Sequence, residues 1–490
     1  MTQVPSHSVS TREPRQRSRD SIPAWVLFSG LTFATWLFTV TRAIPLRNGD
    51  RGVFVSMAER LAAGDVLYVD VWDNKEPLFF LTLSLGRLLS PGMDVAIEMA
   101  WLIVSGVSAL FIARAVGARP LLAAAAGFIA TPLIITGATY SAGFSHLPAT
   151  SVFLALAALA ISRRWLLAGA LLPVLALYKI ITVPMALSVL IVALVALGGR
   201  RELLRSIVGA LISSAALLTL LALRGELIGF LKLVWSNIGY SQQQISDAYQ
   251  VPIWSHLEPV MVPGAVITVT ATALTILLVR CSPASTRRTL KLMTGWSLLA
   301  ALAITAVTGL WSHHAQLFYG PAVLAAALLV GALQGGEWAW PSSLVAVLLA
   351  AIVLSGGLSL RTAVDSGLSA PTRWSDLYRL SEAAADIREF NDDVSYMRLG
   401  SNTDDSHAYG LREYEFACYQ FVQYYYDIPA TLEYIPTCLP EADIVIVDDS
   451  LKERSGADTW NAFVRESERV LAESFTCEQT SYGRLCTRVN

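Results

Sequence analysis

The chain of 490 residues is 54% hydrophobic and only 15% charged, with a mean hydropathy of +0.52. That is too apolar for an ordinary soluble domain. The apolar residues gather in runs of about 20, the length that spans hydrocarbon as helix, so the chain reads as a polytopic membrane protein. A net charge of −2 with no dense basic stripe argues against nucleic acid as a partner.

Residues 1–21 are rich in Ser, Pro and Arg without apolar periodicity, which predicts a disordered cytoplasmic tail. Arg12, Arg15, Arg17 and Arg19 precede the first hydrophobic span, 22–40, as the positive-inside rule asks. That span is too long for the apolar core of a signal peptide and no A-x-A site follows it, so it is expected to remain as an anchor. A polar loop, 42–96, comes next. Further spans are expected near 97–113, 120–138, 147–162, 165–179, 184–199, 204–223, 261–279, 293–310, 318–335 and 340–360.

The connectors between spans alternate in charge. Arg114/Arg119, Arg163/Arg164, Arg200/Arg201/Arg205 and Arg280/Arg287/Arg288/Lys291 fall on every second one; of the others, 139–146 and 311–317 carry none, and the long first loop with its six is the exception. Eleven spans from a cytoplasmic N-terminus place 361–490 outside the cytoplasm. The cysteines give the same answer by a separate route. Cys418, Cys438, Cys477 and Cys486 lie in the last 75 residues without C-x-x-C spacing, so disulfides are expected; three connectivities are open, of which local pairing, 418–438 and 477–486, is the one favoured. The composition of 361–490 predicts a small α/β domain. Its helices are expected at 374–390 and 458–472, its short buried strands at 394–399 and 444–447, and a hairpin around the last two cysteines. The 225–259 connector, with Trp235, Tyr240, Gln242–Gln244 and Tyr249, is either a surface loop or one wall of a binding cavity.

The loop after the first span is the chemically dense stretch. Seven acidic and six basic residues lie between Arg42 and Asp94, flanked by nearly charge-free sequence. Val53, Phe54, Met57, Ala58 and Leu61 recur at helical spacing, so 51–63 is expected to form a helix on the membrane surface. Gly64 would end this helix and Asp50 would cap its start. The apolar run 78–89 lies between Pro77 and Pro91-Gly92 and is too short to cross. It predicts an interfacial helix with Pro77 at its first position. Of 36 basic residues only Lys75, Lys179, Lys232, Lys291 and Lys452 are lysines, which draws attention to Lys75 in this loop.

Between these helices runs Gly64-Asp-Val-Leu-Tyr68-Val-Asp70-Val-Trp-Asp73-Asn74-Lys75-Glu76-Pro77. This run resembles the bacterial lipid-linked-sugar glycosyltransferases of the C superfold, the branch that includes the protein O-mannosyltransferases and the aminoarabinose transferase of lipid A. Those enzymes carry an acidic residue just after span one, then a G-x-x-Y-x-D-x-x-x-x-K-P-P run. Many spans, a large first outer loop and a C-terminal outer domain also fit. Two positions depart: the family's Asp-Glu pair is Asp50-Arg51 here, and its Lys-Pro-Pro is Lys75-Glu76-Pro77. The single carboxylate argues against a metal at that point, and no cofactor is expected.

The resemblance implies an inverting sugar transfer from a polyprenyl-phosphate donor on the extracytoplasmic side, to a lipid, glycan or protein acceptor. Such a transfer needs a base for the acceptor hydroxyl and cations for the departing phosphate. Asp50 would be the base, and Lys75 with Arg51 or Arg47 would hold the phosphate. Lys179, at the outer end of its span, is either a second phosphate ligand or an interfacial lysine reaching toward headgroups. His313 or His314, at another outer mouth, steadies phosphate or sugar, or both are ordinary interfacial histidines. Tyr68, Asp70 and Asp73 position the loop or bind sugar hydroxyls. The expected architecture is therefore an α-helical polytopic membrane protein of about 11 transmembrane helices (22–360), with an extracytoplasmic α/β domain at 361–490. Two other functions fit the composition: a transporter or lipid flippase, and a non-catalytic envelope-assembly scaffold. Charges at span ends, without repeated halves or mid-membrane ionisable groups, weigh against a transporter.

Overall fold

The computed structural model describes residues 49–89, 93–138, 145–235, 237, 261–278, 284–308, 315–332, 382–390, 394–400, 414–418, 429–455 and 458–489. The expected tail 1–21, the first span 22–40 and the last span 340–360 lie outside the described residues, as do Arg47, His313 and His314.

Two helices frame the polar loop. The first, α1, runs Gly49–Ala63, so Asp50 is the second residue of its first turn rather than its cap. Its apolar stripe also behaves differently from the expected surface helix. Phe54, Met57, Ala58 and Leu61 are buried inside the protein. They meet α2, Pro77–Leu89, where Phe54 sits edge-on to Phe79 (5.1 Å) and Phe80 (5.9 Å). A stripe that finds aromatic partners within the chain does not need lipid to cover it. Pro77 opens α2 as expected, and Leu85, Leu88 and Leu89 at its far end are exposed, as suits an interfacial helix.

Nine of the expected spans correspond to described helices. They are α3 Met93–Ala115, α4 Pro120–Ala138, α5 His146–Ile161, α6 Trp165–Lys179, α7 Val183–Leu197, α8 Arg200–Leu223, α9 Met261–Leu278, α10 Ala284–Thr308 and α11 Ala315–Ala332. Helices α5 and α11 form the middle of the bundle; α5 packs on α3, α6 and α7, and α11 on α9, α4 and α3. One polar pin crosses this core: Ser151 Oγ donates to the Trp101 carbonyl at 2.8 Å and meets Ser105 Oγ at 2.9 Å.

By length and composition, Trp165–Leu197 and Arg200–Leu223 are each long and apolar enough to cross a membrane. The first of these stretches is interrupted. Lys179 leaves α6 in an extended conformation (φ −165°, ψ 94°), a 3-10 turn occupies Ile180–Thr182, and α7 begins at Val183. Two helices of 15 residues result, each about 22 Å long. Thr182 Oγ1 closes the break by donating to the Lys179 carbonyl at 2.6 Å.

Helix α8 leans on α6 through glycine. A Cβ at Gly209 would stand 2.0 Å from the Leu166 carbonyl oxygen, and one at Gly169 would stand 2.0 Å from that of Ser206. Small residues at such a crossing let two backbones touch where lipid offers no hydrophobic drive for association. Gly209→Ala is expected to destabilise the protein by about 1–3 kcal/mol through overpacking. A lowered thermal midpoint of the purified protein in detergent would register it, with Leu211→Ala, on an exposed position of α8, expected to stay near the parent.

The C-terminal part forms a five-stranded sheet of order β2-β1-β3-β5-β4, from β1 Ser395–Leu399, β2 Glu415–Phe416, β3 Ile444–Val447, β4 Phe475–Thr480 and β5 Gly483–Arg488. β1 is parallel to β2 and β3, and β5 is antiparallel to β3 and β4. All four residues of β3 are buried, as the run Ile-Val-Ile-Val requires of a central strand. Helix α12 (Glu382–Ile387) is the described part of the helix expected at 374–390; α13 (Pro429–Cys438) and α14 (Asp458–Ser474) complete the unit. Both disulfides form with the expected partners, Cys418–Cys438 and Cys477–Cys486.

Candidate functional site

The polar loop between α1 and α2 is built around Tyr68. Tyr68 N–H donates to the Val71 carbonyl (2.6 Å), which folds the chain back on itself, and Tyr68 takes a left-handed backbone conformation (φ 67°) at this turn. Its ring is buried and its hydroxyl donates to the Lys75 carbonyl at 2.7 Å. Burial first, then the carboxylates of Glu76, Asp73 and Glu226, push the phenol well above its ordinary value of 10.0, so it stays a neutral donor. Tyr68 is therefore a staple that fixes where Lys75 stands.

The two aspartates the sequence left undivided have different jobs. Exposed Asp70 accepts the Val66 N–H (2.7 Å) and closes the outer turn. Buried Asp73 accepts the Lys75 N–H at 2.9 Å and lies 3.4 Å from the Lys75 ammonium. Asn74 Oδ1 also receives that ammonium, which stands 5.2 Å over the Phe54 ring. Lys75 keeps 16% of its side chain exposed while Asp73 keeps none. A cation held by a buried carboxylate, yet open on one side, suits an anionic ligand.

Glu76 joins this loop to the break after α6. Its Oε1 accepts the Ile180 N–H at 2.8 Å, so the turn carrying Lys179 is tied to the residue next to Lys75. Thr82 and Tyr178 share a hydrogen bond of 2.7 Å and add a second tie between α2 and α6. The 225–259 connector packs on the same loop over its described part. Asn237 Nδ2 donates to the Asn74 carbonyl (3.0 Å), and Gly229 leaves room for Tyr68, whose Cβ would lie 2.4 Å from a Cβ at that position. Buried Glu226 pairs with Arg224 at 2.7 Å. Tyr240, Gln242–Gln244 and Tyr249 lie outside the described residues.

Burial raises the Glu226 carboxyl above its ordinary 4.5, and the Arg224 hydrogen bond and charge only partly offset this. A raised folded-state pKa contributes stability that is full below the ordinary value and lost as pH rises through the folded one. Arg224→Ala is thus expected to cost a few kcal/mol at pH 8, with part recovered at pH 5, where the carboxyl is closer to neutral. Thermal midpoints at the two values check the sign.

Helix α1 reaches the C-terminal unit from its other end. Arg60 pairs with Asp65 (2.6 Å), donates to the Tyr414 carbonyl (2.6 Å) and stands 5.8 Å over the Phe416 ring. The sequence offered no sign of this contact, because its partners are 354 positions apart.

Of the expected site residues, the structure brings Lys75, Tyr68, Asp73 and the Lys179 turn together, and it gives Asp70 to the turn alone. Asp50 and Arg51 are placed by backbone in the first turn of α1. Position 50 is one helical turn before Phe54, the ring beneath the Lys75 ammonium. Glu76, Asn74, Asn237 and Glu226 were not anticipated; the only signal was the polar character of their two connectors.

No protein-family model and no curated protein matches the chain. Solved structures do. The aminoarabinose transferase-type protein ArnT from Cupriavidus metallidurans, solved bound to undecaprenyl phosphate, matches with a TM-score of 0.57 at 14% identity, over 94% of this chain and 97% of that one. The mycobacterial arabinofuranosyltransferase AftD matches with a TM-score of 0.50 at 12% identity, over 94% of this chain. The match spans only 40% of AftD's own length. At these identities the likeness is one of fold: the chain shares the fold of these two solved proteins.

Proposed function

We propose that the chain is an integral membrane glycosyltransferase that moves a sugar from a polyprenyl-phosphate donor to an envelope acceptor on the extracytoplasmic side. The observation that carries this reading is the Lys75 site. Its ammonium stands over Phe54, one turn from Asp50, and the next residue is tied to the turn after Lys179. Cleavage of a sugar–phosphate bond asks for a base at the acceptor and cations at the departing phosphate, and Asp50, Lys75 and Lys179 are the candidates for these parts. The fold shared with ArnT, a protein solved with undecaprenyl phosphate, supports the same donor class.

In this reading Asp50 takes the proton of the acceptor hydroxyl as its oxygen attacks the anomeric carbon. The bond from that carbon to the phosphate oxygen breaks with inversion, and the phosphate leaves on the prenyl chain with its charge held by Lys75 and Lys179. Arg51, Arg47 and His313 or His314 are further candidates for the phosphate and sugar. Residues 361–490 are read as an extracytoplasmic domain. Sidedness is supported by the contacts: 60–76, 180, 225–237 and 414–416, all expected outside, touch one another.

Membranes containing the chain, given polyprenyl phosphate carrying labelled arabinose or mannose, test the reading. Label is expected to pass to an envelope fraction as free polyprenyl phosphate appears. A lipid that crosses the bilayer with its sugar intact would instead identify a flippase, and no effect of the chain on either would leave a scaffold.

A further inference from the structure

Glu76 holds an unusual position in the loop. It replaces the first proline of the Lys-Pro-Pro run, it is only 5% exposed, and one of its oxygens is spent on the Ile180 N–H. The other, Oε2, is fully buried and finds no hydrogen-bond donor among the described residues. A buried carboxylate oxygen without a donor is a standing cost, and a chain that needed only to tie down the Ile180 turn would meet that need with a neutral amide. Asn237 repeats the arrangement on the other side of Lys75. Its amide nitrogen is fixed on the Asn74 carbonyl at 3.0 Å, while its Oδ1 is buried without a donor.

Two acceptor atoms are thus each anchored through their own side chain, and both flank the residue assigned to the phosphate. A ligand that completes them must bring hydroxyl or amine donors and must lie next to an anion. A sugar on a phosphate has that chemistry; a bare prenyl phosphate does not. We propose that Glu76 Oε2 and Asn237 Oδ1 accept hydroxyl groups of the transferred sugar, so that these two residues set which sugar the site takes. This rests on the lipid-linked-sugar reading above and adds to it the atoms that recognise the sugar.

The test is binding by the full chain in nanodiscs, using undecaprenyl phosphate as the sugar-free probe and undecaprenyl-phosphate arabinose and mannose as the sugar-bearing ones. Glu76→Gln keeps an acceptor for Ile180 N–H and turns the orphan oxygen into a donor. It is expected to weaken the preferred sugar-bearing probe about ten-fold, the worth of one hydrogen bond to a charged group. The sugar-free probe should be unchanged, and the thermal midpoint equal to or above that of the parent, because an uncompensated buried charge is gone. Asn237→Ala should show the same split between probes. A purely structural Glu76 predicts the reverse: a lower midpoint and equal losses for all probes, which would overturn the proposal. So would a parent chain that binds the sugar-bearing probes no better than the sugar-free one. If the parent chain fails to bind undecaprenyl phosphate at all, the broader reading falls as well; if it binds all three and Glu76→Gln changes nothing, only the sugar contact is lost.

Discussion

Asp50→Asn is expected to lower sugar transfer by about 10²–10⁴-fold, the usual cost of losing a positioned general base, while undecaprenyl phosphate still binds. The change is nearly isosteric and sits in the first turn of α1. Asn cannot take the proton from an acceptor hydroxyl, so the loss should fall on kcat rather than on donor affinity. The first turn of a helix also favours a negative charge, so a modest loss of stability is expected alongside. Initial rates with labelled donor, read with binding of the unlabelled lipid phosphate, separate the two effects. Equal rates in parent and variant would remove Asp50 from the chemistry.

Lys75→Ala is expected to act on both binding and turnover. In the resting protein its ammonium is shared between Asp73, Asn74 and the Phe54 ring. The side chain keeps 16% of its surface exposed, the side from which a phosphate would approach. Removing it should weaken undecaprenyl phosphate by about 10–100-fold, the range for a lost charge-assisted hydrogen bond. Turnover should fall by about a further 10²-fold, because the leaving phosphate gains negative charge as the sugar–oxygen bond breaks. It also leaves Asp73 buried without the ammonium, so stability must be followed in parallel. Asp73→Asn together with Lys75→Ala removes both charges and should restore the thermal midpoint without restoring transfer. Restored transfer in the double variant would assign Lys75 to folding alone.

The sequence read in one dimension accounts for much of this protein. Apolar runs of membrane length placed eight of these nine helices within four residues of where they lie, with α6 starting at Trp165 and ending at Lys179 as expected, whereas α10 begins at Ala284 instead of the expected 293. Proline at position 77 marked the start of α2, because a residue without an amide hydrogen is best tolerated in a first helical turn. The cysteine pairing was legible in part. Four cysteines allow three pairings, the local one is favoured, and Cys477 and Cys486 do face each other across a hairpin. The Gly-Tyr-Asp-Lys run pointed to Lys75 before any geometry was known.

Other features depend on what folding brings near. The amphipathic stripe of α1 is as compatible with lipid as with another helix, and only the presence of Phe79 and Phe80 turns it inward. Asp70 and Asp73 look alike in the sequence; burial and the Lys75 amide separate them. Glu76 reads as a departure from a motif until Ile180, 104 positions away, supplies its amide. Arg60 reads as one more loop cation until Tyr414 and Phe416 arrive beneath it. Periodicity, helix starts and local cysteine pairs are written over a few residues, so the chain alone determines where the described helices lie and singles out Lys75 as a candidate. The partners of a buried polar atom are chosen across hundreds of residues, and tertiary structure alone decided that Glu76 joins the lysine loop to the Lys179 turn.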